Sequence, residues 1–152
     1  MRRERAGLAP DEIPIREGCF VFSNRQGGGP HLIGSRCRQC GDVVFPKRKL
    51  CTICDSDELM EEVFIGEKGK LYTYTIVRTG LANFETPYVL GLVELPESGN
   101  LRVLAQIEDC EPEEVRIGMP LELVIGKIKT DKATGKTVIG HKYRPARGSS
   151  GP

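Results

Sequence analysis

A mainly β chain is predicted, in which an N-terminal arm and a zinc ribbon precede a five-stranded Greek-key barrel of the OB type. Three observations carry that prediction. Two C-x-x-C pairs are separated by ten residues, five segments behind them have strand composition, and 18 Gly with 10 Pro in 152 residues favour turns over long helices. The expected organisation is an arm over 1–30, the ribbon over 31–57, the barrel over 58–146 and a disordered tail over 147–152.

The arm has little periodicity. Gln26-Gly27-Gly28-Gly29-Pro30 reads as a flexible break, and a short strand is expected over Cys19-Phe20-Val21-Phe22. Met1-Arg2-Arg3-Glu4-Arg5 leads into no apolar signal-peptide core, and no apolar run approaches the roughly 20 residues that span a bilayer. A cytoplasmic protein without membrane association is therefore expected. In a reducing compartment six cysteines are metal ligands or free thiols rather than a disulfide framework.

The ribbon rests on Cys37-Arg38-Gln39-Cys40-Gly41 and Cys51-Thr52-Ile53-Cys54. A C-x-x-C turn points two thiolates at one centre, and two such turns complete a tetrahedron with Zn–S distances of about 2.3 Å. Gly41 suits the turn because it accepts a positive φ without steric cost. Four thiolates leave no coordination position open, so Cys37, Cys40, Cys51 and Cys54 are expected to hold a structural Zn²⁺ and not to activate water. Iron takes the same four ligands, and a redox dithiol is the remaining reading of a single pair.

The barrel strands follow in order. Leu71-Tyr72-Thr73-Tyr74-Thr75-Ile76-Val77 and Tyr88 to Leu95 are rich in β-branched and aromatic residues. Leu101, Val103, Ala105 and Ile107 alternate with polar or outward positions, as do Leu121, Leu123 and Ile125. Thr137 to Tyr143 follows the turn Asp131-Lys132-Ala133-Thr134-Gly135, which predicts a hairpin with the fourth strand. An irregular stretch from Asp109 to Gly118 lies where an OB-fold has a short helical connection; an open meander or small sandwich is the alternative.

The net charge of +1 hides local asymmetry. Arg36, Arg38, Lys47, Arg48 and Lys49 surround the ribbon, acidic Asp55, Asp57, Glu58, Glu61 and Glu62 follow it, and seven cations lie between Lys127 and Arg147 against Asp131 alone. Such runs are a solvated face or a site for an anionic partner. Cys110, between Asp109 and Glu111, makes a poor nucleophile, since negative neighbours disfavour the thiolate. Cys19 has no base near it in sequence. No nucleophile–base motif, phosphate loop or dinucleotide fingerprint is present in the chain, which points away from an autonomous enzyme.

From Ile33 to Tyr143, about three-quarters of the chain, the sequence resembles the thiolase-associated, acyl-CoA-linked family built from a rubredoxin-like zinc ribbon and an OB-fold. The matching stretches include Gly34-Ser35-Arg36-Cys37-Arg38-Gln39-Cys40-Gly41, Val44-Phe45-Pro46-Lys47-Arg48, Gly69-Lys70-Leu71-Tyr72-Thr73-Tyr74-Thr75 and Phe84-Glu85-Thr86-Pro87-Tyr88. They continue in Gly91-Leu92-Val93-Glu94-Leu95, Arg116-Ile117-Gly118-Met119 and Gly140-His141-Lys142-Tyr143. The resemblance implies a small partner of a thiolase-fold catalytic subunit, which supplies the reactive groups while this chain supplies structure and part of a shared coenzyme A or acyl-CoA site. The front end, Ile13 to Gly34, looks more like the subgroup serving thiolases of aromatic degradation, such as that acting on benzylsuccinyl-CoA. Within that frame Lys47, Arg48, Lys142 and Arg144 are candidates for the coenzyme A phosphates, and Phe84, Pro87 and Tyr88 for the pantetheine arm or the partner. Solvated charge and ordinary barrel packing are the competing explanations for these seven.

Two further classes stay open. A zinc ribbon with an OB-fold also suits single-stranded nucleic acid; a sequence pI near 7.6 and no Trp oppose this, whereas Tyr72 and Tyr74, two apart on one strand, are expected to share a face as a stacking platform. An electron carrier with iron in the four-cysteine site is the other.

Overall fold

The computed structural model describes residues 8–22, 29–80 and 84–146. The expected break at Gln26 to Gly28, the tail over 147–152 and the cation Arg147 lie outside the described residues. Among the described residues ten strands form two sheets: β1 Glu12–Pro14, β2 Phe20–Val21, β3 His31–Cys37, β4 Val43–Val44, β5 Met60–Ile65, β6 Lys68–Val77, β7 Tyr88–Leu95, β8 Leu101–Ile107, β9 Pro120–Thr130 and β10 Thr137–Pro145. No helix among the described residues is long and apolar enough to cross a membrane.

The barrel is closed by five strands. Its order is β6-β7-β8-β10-β9, with β9 returning to β6 through Lys70↔Pro120, Gly69↔Leu121 and Lys68↔Glu122. All neighbours are antiparallel except β8 and β10, which meet in parallel at Gln106↔Lys142 and Ile107↔Tyr143. This connectivity, with the first strand paired to both the second and the fourth, is the predicted OB barrel. The Asp109 to Gly118 connection holds one 3-10 turn, Pro112–Glu114. The β9–β10 hairpin turns where Asp131 accepts bonds from the Ala133 N–H at 3.1 Å and the Thr134 hydroxyl at 2.9 Å.

Alternation places Val89, Val93 and Leu95 of β7, Val103, Ala105 and Ile107 of β8, and Leu121 and Leu123 of β9 inside. On β6 the alternation breaks. Pairing with β7 shifts between Leu71↔Val93 and Thr73↔Leu92, so Tyr72 is the extra residue of a β-bulge. The consequence corrects the expected stacking platform: Tyr72 is exposed with the Arg102 guanidinium 3.6 Å from its ring centroid, whereas Tyr74 turns inward against the core. One inserted residue inverts the parity of every side chain after it.

The second sheet centres on β3, flanked by β2 and β4 on one side and by β5 on the other. The predicted strand in the arm is thus β2, paired to Leu32 and His31. Strand β1 was not legible in the sequence. It lies parallel to β10 with Ile13 opposite Val138, along the stretch of β10 that β8 leaves unpaired. The two sheets share one core, since Phe20, Leu32 and Ile65 cluster with the barrel residues. Their joint is Gly66, at φ 84°, whose carbonyl accepts the buried Tyr143 hydroxyl at 2.8 Å.

Antiparallel pairing of β3 with β5 also cancels the charge asymmetry around the ribbon. Arg36 stands opposite Glu61 in register and binds it at 2.9 Å, and Lys47 reaches Glu62 at 3.3 Å. The basic run and the acidic run that follows it are therefore neighbours in space.

Candidate metal centre and ligand cleft

The two C-x-x-C segments fold into the same turn twice. The Gly41 N–H donates to Cys37 O at 2.9 Å, and the Asp55 N–H donates to Cys51 O at 2.8 Å. In each turn the second cysteine's N–H points at the first sulfur, Cys40 to Cys37 at 3.5 Å and Cys54 to Cys51 at 3.4 Å. Both turns close on a left-handed residue, Gly41 at φ 79° and Asp55 at φ 53°. Asp tolerates that conformation better than most residues, so the second turn gave no glycine signal in the sequence.

The four sulfurs lie within 4.8 Å of one another, with Cys37 to Cys54 at 3.8 Å and Cys40 to Cys51 at 3.6 Å. A tetrahedron with Zn–S bonds of about 2.3 Å has edges of about 3.8 Å, so the donor set fits zinc in size and in softness. The Cys40 N–H lowers the Cys37 thiol to about 6, while burial among the other sulfurs pushes Cys54 up to about 12. A divalent ion between them would hold all four as thiolates.

The loop between the cysteine pairs reaches the barrel. The Phe45 ring meets the edge of His141 on β10 at 5.4 Å and 88°, and the Arg48 N–H is fixed by Ser35 Oγ at 2.9 Å. His141 Nε2 bonds Leu104 O at 3.1 Å, and burial lowers the pKa of the ring.

The four candidate phosphate ligands do not converge on one point. Lys47 pairs with Glu62, Lys142 with Glu108 at 3.3 Å, and Arg144 with its register partner Glu122 at 2.9 Å. Arg48, exposed on the ribbon loop, alone of the four makes no ion pair with a described residue.

Lys142 does share a cleft with two of the apolar candidates. This cleft, of about 1040 Å³, opens at the end of the barrel and is lined by Pro87, Tyr88, Val89, Ile107 and Ile128. Phe84 does not line it; its ring lies 5.9 Å from that of Tyr88, tilted by 31°, and Lys129 Nζ lies 5.3 Å from the Phe84 ring centroid. Lys127 and Lys129 also line the cleft, as do Glu85, Glu108, Asp109, Glu111 and Glu114. The two lysines were visible only as members of a basic run, because nothing local tells a cleft-facing lysine from a solvated one. Cys110 also lines the cleft, its thiol pushed up first by burial and then by Glu114 and Glu111; of the two sequence neighbours expected to act, Glu111 does.

Residues 29–59 match the family described as the ChsH2 rubredoxin-like zinc ribbon domain, and residues 62–126 match the ChsH2 C-terminal OB-fold domain. A DUF35 domain-containing scaffold protein of Pyrococcus furiosus is 47% identical over 116 residues, covering 75% of this chain and 82% of the relative. The corresponding scaffold protein of Methanocaldococcus jannaschii is 43% identical, with 75% and 81% covered. The benzoylsuccinyl-CoA thiolase subunit BbsA of Thauera aromatica is 38% identical over 118 residues, covering 78% of each chain. Among solved structures, the Ltp2-ChsH2(DUF35) aldolase aligns with a TM-score of 0.61 at 29% identity, over 77% of this chain and 86% of that one. The resemblance seen in the cysteine turns and barrel strands is thus one of descent, and the chain belongs to the DUF35 family, in which it carries the ChsH2-type zinc ribbon and OB-fold.

Proposed function

We propose that this protein is a non-catalytic accessory subunit of a thiolase-type complex acting on acyl-CoA, which stabilises a thiolase-fold catalytic subunit and contributes to its coenzyme A site. The observation that carries this reading is the 38% identity, over 78% of both chains, to a subunit of benzoylsuccinyl-CoA thiolase. The likeness to a chain of the Ltp2-ChsH2(DUF35) aldolase supports it. A closed four-thiolate cluster fits a chain that supplies position and leaves the chemistry to its partner.

Coenzyme A would be met at two places. Arg48, which makes no ion pair with a described residue, presents a planar fork suited to a phosphate. In the cleft, Lys127 and Lys129 offer point charges beside the apolar Pro87 and Tyr88, while Lys142 is held by Glu108. Identity to the archaeal scaffold proteins reaches 43% and 47%, above that to the thiolase subunit, so the accessory role is proposed without restriction to an aromatic acyl group.

Co-expression with the thiolase-fold protein of the same organism tests this. The pair should co-elute on size exclusion, and turnover of an acyl-CoA should need both chains. A partner that is fully active alone and never co-elutes would remove the proposal.

A further inference from the structure

We infer that the outward face of β6, β7 and β8 is the surface on which the catalytic subunit docks. This deepens the accessory-subunit reading and rests on it. The bulge at Tyr72 sets the face: after it, Thr73 and Thr75 point outward, in register with the outward Leu92 and Leu90 of β7. These in turn oppose Leu104 and Gln106 of β8. Two cross-strand rows result, Thr73–Leu92–Leu104 and Thr75–Leu90–Gln106, and neither carries a charge. In a chain with 28% charged residues, six outward positions would carry about two. Depletion of charge around exposed apolar side chains distinguishes the centre of an interface from ordinary surface.

The edges of the face are neutralised within this chain. At one end Glu94 holds both Lys70, at 3.7 Å, and Arg102, at 3.4 Å, and the Arg102 guanidinium lies over the Tyr72 ring. At the other end Lys142 is paired with Glu108. The face therefore offers no field to an anionic ligand, and a surface that covers it loses least if it is itself uncharged. Leu104, 58% exposed, is the apolar anchor within the rows, and Tyr72, 43% exposed, stands at their rim.

Area selects the occupant. Three strands about 4.8 Å apart and two rows deep expose on the order of 200 Å², against about 800 Å² per partner in a stable complex. A second copy meeting this patch face to face would bury too little. The occupant is then one that centres on the patch and extends past it, and the accessory-subunit reading supplies it in the thiolase-fold partner.

The test uses the full chain with its thiolase-fold partner and the variants Leu104→Glu, Thr75→Glu and, as a charge control in the hairpin turn, Lys132→Glu. Because positions 104 and 75 are exposed, wild-type zinc content and melting temperature should be kept. Leu104→Glu and Thr75→Glu should each weaken the complex at least tenfold by titration, and Lys132→Glu should not. Equal affinity in Leu104→Glu and wild type, with wild type bound, overturns the surface assignment and leaves the accessory role standing. Wild type that never binds the partner overturns both. Loss of a homodimer in light scattering, with the hetero-complex intact, identifies a second copy as the occupant and also overturns the inference.

Discussion

Cys37 and Cys51 each open one of the two knuckles and are almost fully buried, so their loss removes a ligand and leaves a buried gap. Cys37→Ser or Cys51→Ser is expected to abolish stoichiometric zinc and unfold the ribbon, because metal binding and folding are coupled in so small a module. Zinc content per chain with circular dichroism checks this, and full zinc with an unchanged melt would refute the ligand assignment. His141 gives a pH dependence of definite sign. Its pKa is lowered from 6.5 in the fold, so the unfolded chain takes up a proton first as the solution is acidified. Its contribution to stability is complete above pH 6.5 and is lost as pH falls from there toward the lowered value. With zinc held saturating, the melting temperature of wild type should fall more steeply than that of His141→Gln between about pH 7 and pH 5.5; parallel curves would show that the buried ring does not titrate with folding. The cysteines were legible because a metal knuckle is written in four consecutive residues. The company kept by Lys142 was not, since its cleft is assembled from five separate stretches of chain.

Among the elements, the barrel strands were legible where side chains alternate, because a pleated strand with one buried face leaves a period of two in the sequence. Strand β1 left no such trace: Glu12, Ile13 and Pro14 owe their conformation to β10, more than a hundred residues away. The allegiance of β5 to the ribbon was hidden for the same reason, and the bulge on β6 was hidden because a single inserted residue does not alter composition. Just past that bulge, across from Tyr74, sits Gly91, where an added Cβ would lie 2.6 Å from Leu71 Cδ1 and 3.3 Å from Thr73 O. Gly91→Val should therefore overpack the barrel by about 2 kcal/mol, lowering the melting temperature by roughly 4 to 8 °C. Gly91→Ala combined with Leu71→Ala should recover part of the strain relative to the sum of the single changes, and strict additivity in this cycle would speak against a direct clash.

At the scale of the whole molecule, the ribbon and the barrel melt as one unit if the core is continuous in energy as it is in space. Chelation should then lower and broaden a single thermal transition, and should not leave an intact barrel melting at its holo temperature; two well-separated transitions would show that the halves are independent. The joint that enforces this coupling is the Tyr143 hydroxyl on Gly66 O, buried between the sheets. Tyr143→Phe is expected to cost about 1 kcal/mol, by leaving a buried carbonyl without its donor, and to bring the chelated protein closer to two-step unfolding. The same joint has a bearing on the life of the protein in its cell. A chain whose metal clip, β2–β5 sheet and barrel share one interior cannot shed its zinc and linger as a folded remnant. Depletion of the ion would expose apolar surface along the entire length, and proteases would meet a substrate instead of a barrel with a frayed end. Metal supply would thus set how much of the protein survives.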